Sequence, residues 1–153
     1  MVKIANILVA TDFSEAADSA LEYARTFAKD FGSNLHVLHV AENLLTRQYG
    51  SDTYVGDLTR FQTELEESAR KRINDRLGPK AADARWLQGV VVTADSPAEA
   101  IVEYAKDANI DLIVMGTHGR SGLPRLLLGS VAERVLRTAN CPVMTVHQPE
   151  HLP

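Results

Sequence analysis

Five short apolar runs, separated by stretches of helical periodicity, leave this chain few ways to fold. The runs are Ile4 to Ala10, Leu35 to Val40, Trp86 to Val92, Leu112 to Met115 and Pro142 to Val146. Short apolar, β-branched runs bounded by polar or turn residues read as strands of a parallel sheet covered on both faces. After the first run, Ser14 is placed as an N-cap and Glu15 suits the positive end of a helix. Ala17, Ala20, Leu21, Ala24, Phe27, Ala28 and Phe31 then form one apolar stripe ending near Gly32. A second helix carries Leu58, Phe61, Leu65, Ala69, Ile73 and Leu77 on one side and stops at Gly78-Pro79. A third opens on the capping box Ser96-Pro97-Ala98-Glu99 and turns Ile101, Val102, Ala105 and Ala108 inward. A fourth starts near Ser130. Strand-helix-strand units close right-handed. The pattern therefore predicts an α/β fold: a doubly wound, Rossmann-like sheet of five parallel strands flanked by four helices, with strand order 3-2-1-4-5 and one domain over 1–153.

Composition narrows the function classes. With 153 residues the chain is long enough to bury a core without metals or disulfides. A net charge of −4 supplies no clustered basic surface of the kind nucleic acid requires. Cys141 is the only cysteine, set in an apolar run beside Pro142, and reads as a small buried thiol. Met1 to Asn6 lacks the charged and apolar blocks of a signal peptide, and no apolar run approaches the ~18 residues that span a bilayer. A cytoplasmic protein is expected, without membrane insertion.

Ligands of doubly wound sheets sit beyond the carboxyl ends of the strands, where strand order reverses. Ala10-Thr11-Asp12, Val40-Ala41-Glu42 and Met115-Gly116-Thr117-His118-Gly119 occupy such ends. The segment from Gly116 to Ser130 is rich in glycine, which lets backbone amides approach a phosphate. Gly129-Ser130 opens a helix whose first amides favour an anion, and Arg120 and Arg125 add charge. A structural alternative stands beside this: the glycines only shape turns, and Ser130 with Glu133 forms a capping box. Neither G-x-x-x-x-G-K-[ST] nor a G-x-G-x-x-G after the first strand is present.

Gly116-x-x-Gly119, nine residues, then Gly129-Ser130 matches the G-2x-G-9x-G-[ST] signature of ATP-binding universal stress proteins. Ala10-Thr11-Asp12-Phe13-Ser14 resembles that family's first-strand motif. Ser130 to Val135 and Cys141-Pro142-Val143 are similar to its C-terminal half. The resemblance implies an adenine-nucleotide-binding sensor or switch in stress response, holding ATP (or ADP or AMP) with Mg2+ or Mn2+. It assigns Asp12 to the ribose hydroxyls or their neighbours, the Val40 backbone to the adenine edge, and Ala10 and Met115 to the base and ribose pocket. Gly116 and Gly119 pass the ribose and phosphates, while Gly129, Ser130 and Val131 bind phosphate. Thr11 belongs to the first-strand motif, and His118 and Arg120 lie in the glycine-rich loop. Many relatives carry proline before the Thr-Asp pair, where this chain has Ala10. The resemblance also implies a homodimer through the last strand, Val143, Met144, Thr145 and Val146, an apolar edge open to pairing.

Other residues carry blander readings. Asp12 also suits an Asx turn. His36 and His39, three apart on one strand, face opposite sides and are poor metal partners. Trp86 and Tyr104 read as packing residues, and Tyr49 and Tyr54, in the long polar loop from Glu42 to Gly56, are candidates to cover a base. Ser121 lacks a G-x-S-x-G setting. No general base for attack by water stands out, which leaves a slow ATPase as the enzymatic alternative and a nucleotide-independent interaction protein as the third.

Overall fold

Alternate residues of the first strand face opposite helical layers, and this alternation organises the molecule. The computed structural model describes residues 1–47, 54–118 and 128–147. Its elements are β1 (Asn6–Ala10), α1 (Glu15–Phe31), β2 (Asn34–Glu42), α2 (Val55–Leu77), β3 (Leu87–Ala94), α3 (Pro97–Asp107), β4 (Leu112–Gly116), α4 (Ser130–Thr138) and β5 (Val143–Val146). A short 3-10 turn at Ala81–Asp83 leads into β3. All strand pairs are parallel, in the order β3-β2-β1-β4-β5. This is the α/β architecture and strand order read from the sequence.

Ile7 and Val9 of β1 pack with Val37 and Val114 against Ala20, Leu21 and Ala24 of α1 and Ala69, Ile73 and Leu77 of α2. Leu8, Leu38, Ile113 and Met115 face Ala98, Ile101 and Ala105 of α3 and Ala132 and Val135 of α4. Small residues on α1 let the helix lie close to the sheet. Ser14 caps α1 by accepting from the Ala17 amide (3.2 Å), and Gly32 ends it in the left-handed conformation at φ 66°. Ser96 caps α3 with Pro97 in its first turn.

Strand ends and one helix face differ from expectation. β2 and β3 continue to Glu42 and Ala94, since they pair with each other beyond the end of β1. The connection after β2 is correspondingly shorter. On α2, Ala69, Ile73 and Leu77 are buried as expected, but Phe61 and Leu65 are exposed and Gln62 is buried in their place. Gln62 accepts from the Leu44 amide (2.8 Å) and donates to Glu42 O (3.1 Å), so the first half of the helix is fixed by hydrogen bonds rather than packing. Gly89 explains how the second half sits so low on β3: a Cβ there would overlap Ile73 Cγ2.

His36 and His39 do face opposite sides. His36 meets Tyr104 Oη at 2.8 Å on the α3 side, and burial pushes its pKa below the ordinary histidine value. His39 stacks against Phe13 on the α1 side. Trp86 is 42% exposed, so it contributes less packing than its size suggested. Cys141 is a free, partly buried thiol whose pKa is raised by burial and then by Asp111. No helix among the described residues is long and apolar enough to cross a membrane.

Candidate functional site

β1 stops at Ala10, level with Leu38 of β2 and Met115 of β4, while both neighbours run on. The gap opens a cavity of about 300 Å³ at the reversal of strand order, the lower end of the ~300–1,000 Å³ typical of ligand pockets. Ten of the residues singled out from the sequence line it: Ala10, Thr11, Asp12, Val40, Met115, Gly116, His118, Gly129, Ser130 and Val131. Gly119 and Arg120, with Tyr49 and Ser121, lie outside the described residues. Tyr54 is strongly exposed and is not among the lining residues.

The turn after β1 is built from its own polar groups. Thr11 donates its amide to Leu38 O (2.8 Å), accepts the Phe13 amide on Oγ1 (3.0 Å), and accepts His39 Nδ1–H on its carbonyl (2.8 Å). Thr11 is therefore the pivot that ends the strand. Asp12 accepts the Ser14 amide at 3.0 Å, an Asx turn, and also lines the cavity. Phe13 adopts φ 65°, a left-handed conformation costly for a bulky residue, at about 1–3 kcal/mol. The guanidinium carbons of Arg72 and Arg76 lie 4.1 and 4.9 Å from its ring centroid, and Arg76 also pairs with Asp18 (2.7 Å). These contacts from α2 hold the turn in place.

One wall offers backbone hydrogen bonds. In β2 alternate residues turn their N–H and C=O toward β1: Asn34 donates to Ala5 O, and Leu38 accepts from Thr11. Val40 is next in that series, and the ladder has ended. Its N–H and C=O thus point side by side past β1 into the cavity, one donor and one acceptor. Ala10, Leu38, Ile101 and Met115 supply apolar surface around them.

The opposite wall is the start of α4. Gly129 is its N-cap and no side chain caps it. The proposed capping box of Ser130 with Glu133 does not form, because Ser130 is already the first helical residue and Glu133 pairs with Arg137 at 2.7 Å. The first intrahelical bond runs from the Glu133 amide to Gly129 O. The amides of Ser130, Val131 and Ala132 precede it, at the positive end of the helix dipole and in the cavity wall.

Gly116, in the cavity lining, also has a packing role. A Cβ there would lie 2.9 Å from the Ala16 carbonyl carbon and Cβ, so glycine is required for α1 to approach β4. Pro97 and Ile101, also in the lining, are not singled out by the sequence, since they read there as a helix start and a core position; Thr117 enters there only as part of the segment after the fourth strand.

The profile described as the universal stress protein family matches residues 3–147. The chain belongs to the universal stress protein family. Universal stress protein MJ0531 of Methanocaldococcus jannaschii is 35% identical, covering 94% of this chain and 82% of its own. A universal stress protein UspA from Lactobacillus plantarum has a solved structure with TM-score 0.80 at 27% identity, over 95% of this chain and 99% of that one. A universal stress protein solved in complex with cAMP has TM-score 0.67 at 25% identity, over 97% of this chain and 100% of its own. This universal stress protein shares their five-stranded order.

The packing role of Gly116 is testable apart from any ligand. Gly116→Ala is expected to lower the unfolding free energy of the ligand-free protein by about 1–3 kcal/mol, read by urea denaturation. Unchanged stability would return this glycine to a role in ligand approach alone.

Proposed function

We propose that this universal stress protein binds an adenine nucleotide in the cavity beyond β1 and acts as a cytoplasmic nucleotide-dependent switch. The observation that carries the reading is the pairing of two unlike walls across one cavity. Val40 presents a donor and an acceptor side by side, which match the N1 acceptor and N6 donor of adenine. The opposite wall presents the uncapped amides of Ser130, Val131 and Ala132, with Gly129 leaving the approach open to phosphate oxygens. Between them Asp12, an acceptor when ionised, suits ribose hydroxyls, and His118 lies on the phosphate side. Gly119 and Arg120 belong to the reading through the family signature.

Among the described residues no three His, Cys, Asp or Glu side chains converge. Mg2+ or Mn2+ accompanying ATP is assigned mostly to phosphate oxygens and water. The bound nucleotide supplies negative charge at the α4 terminus, and the residues here hold and orient it. Occupancy would change the surface around the cavity mouth and so alter what a partner meets.

The reading includes a homodimer through β5. This strand is a sheet edge, with Val143, Met144 and Thr145 only partly buried and Val146 buried. Its outer backbone groups are available to a second copy related by two-fold symmetry.

Calorimetric titration with ATP, with and without Mg2+, of protein first freed of retained nucleotide is expected to give about one site per chain, lost in Gly129→Arg. Folded, empty protein that takes up no ATP would contradict the reading. Sedimentation equilibrium at micromolar concentration is expected to give a dimer mass, and a monomer there would remove the β5 assignment.

A further inference from the structure

Thr117, just beyond β4, is 1% exposed, and all of its polar atoms are engaged. Its amide donates to Val146 O (3.0 Å) and its carbonyl accepts the Gly129 amide (2.7 Å). It thus joins the end of β5 to the N-cap of α4. Its hydroxyl meets three further groups: His118 Nδ1 at 3.0 Å, His147 Nδ1 at 3.3 Å and Val146 O at 3.4 Å. A hydroxyl has one proton to give and two lone pairs, and a carbonyl can only accept. All three contacts are hydrogen bonds in one arrangement only. The hydroxyl donates to Val146 O, and both imidazoles donate Nδ1–H to the hydroxyl oxygen.

We propose that Thr117 is a positioning residue for the cavity, with its hydroxyl holding both imidazoles as Nδ1–H and so setting the ring of His118. His147 follows β5 and does not line the cavity, whereas His118 does. With Nδ1 spoken for, the lone pair of neutral His118 resides on Nε2, and the ring cannot turn without breaking its bond to the buried Thr117. A fixed ring in the wall costs a ligand less to engage than a mobile one. The effect on ligand rests on the nucleotide reading, while the tautomer assignment does not.

The experiment uses ligand-free protein carrying 15N-histidine and two-bond 1H–15N correlation at a pH where the imidazoles are neutral. His118 and His147 are expected as Nδ1–H tautomers. Thr117→Val, which keeps the side-chain shape and the backbone bonds, should move both toward Nε2–H. Thr117→Ser should restore the wild-type pattern, and His147→Ala should leave His118 as Nδ1–H. ATP affinity should fall about fivefold in Thr117→Val, the loss of roughly one hydrogen bond, and recover in Thr117→Ser. An Nε2–H tautomer in either wild-type ring would overturn the proposal, as would unchanged ATP affinity in Thr117→Val. If Thr117→Val does not fold, the wild-type rings decide the matter. Wild-type protein that binds no ATP would sink the nucleotide reading, and the tautomers would still judge the positioning.

Discussion

The early end of β1 is the constraint on which the rest of the site depends. Had the strand continued two residues, Val40 would be paired and the cavity filled by backbone. Thr11 prevents this by turning its hydroxyl and carbonyl to the Phe13 amide and to His39, so that the chain leaves the sheet. The departure requires Phe13 to adopt a left-handed backbone, an unfavourable conformation offset by burial of its ring beneath Arg72 and Arg76. A strained residue thus sits beside the candidate site, where such residues tend to persist because their surroundings over-determine them.

Two physical devices then divide the cavity. The β2 side works through directional backbone groups in apolar surroundings, which distinguish ligands by their donor and acceptor pattern. The α4 side works through orphan amides and a dipole, which recognise negative charge with little regard to its carrier. Thr117 connects the second device to the sheet edge, since its backbone holds both Gly129 and Val146. Site and edge strand are therefore parts of one bonded unit.

The alternation of strands and helices and most helix caps were legible because they follow from local signals: apolar runs, Ser14, Gly32 and Ser96-Pro97; the strand order follows from the fold class those runs imply. Phe61 and Leu65 were not, because the apolar stripe of α2 continues past the end of the sheet it would pack on, and Gln62 takes the inward position through bonds to Glu42 and Leu44. Gly116 was legible as a required glycine but not for its reason, which lies 100 residues away in Ala16. The glycine signature drew attention to Ser130 and Val131, which line the cavity, yet only the helix start at Ser130 decides between capping box and open amides. Thr117 and His147 gave no pattern at all, since their contact is set by how β4 and β5 end side by side.

The central claim is that the unpaired backbone of Val40 reads the base, and the most direct test is competition between ATP and its purine analogues for the cavity. Adenine presents an acceptor and a donor that complement Val40, whereas guanine and hypoxanthine reverse the pattern and leave both backbone groups opposed to like partners. The account predicts that GTP and ITP compete at least about 100-fold less well than ATP, in keeping with the cost of leaving buried polar groups unpaired. Equal competition by all three would mean that the cavity recognises phosphate alone, and that the end of β1 has no part in choosing the ligand.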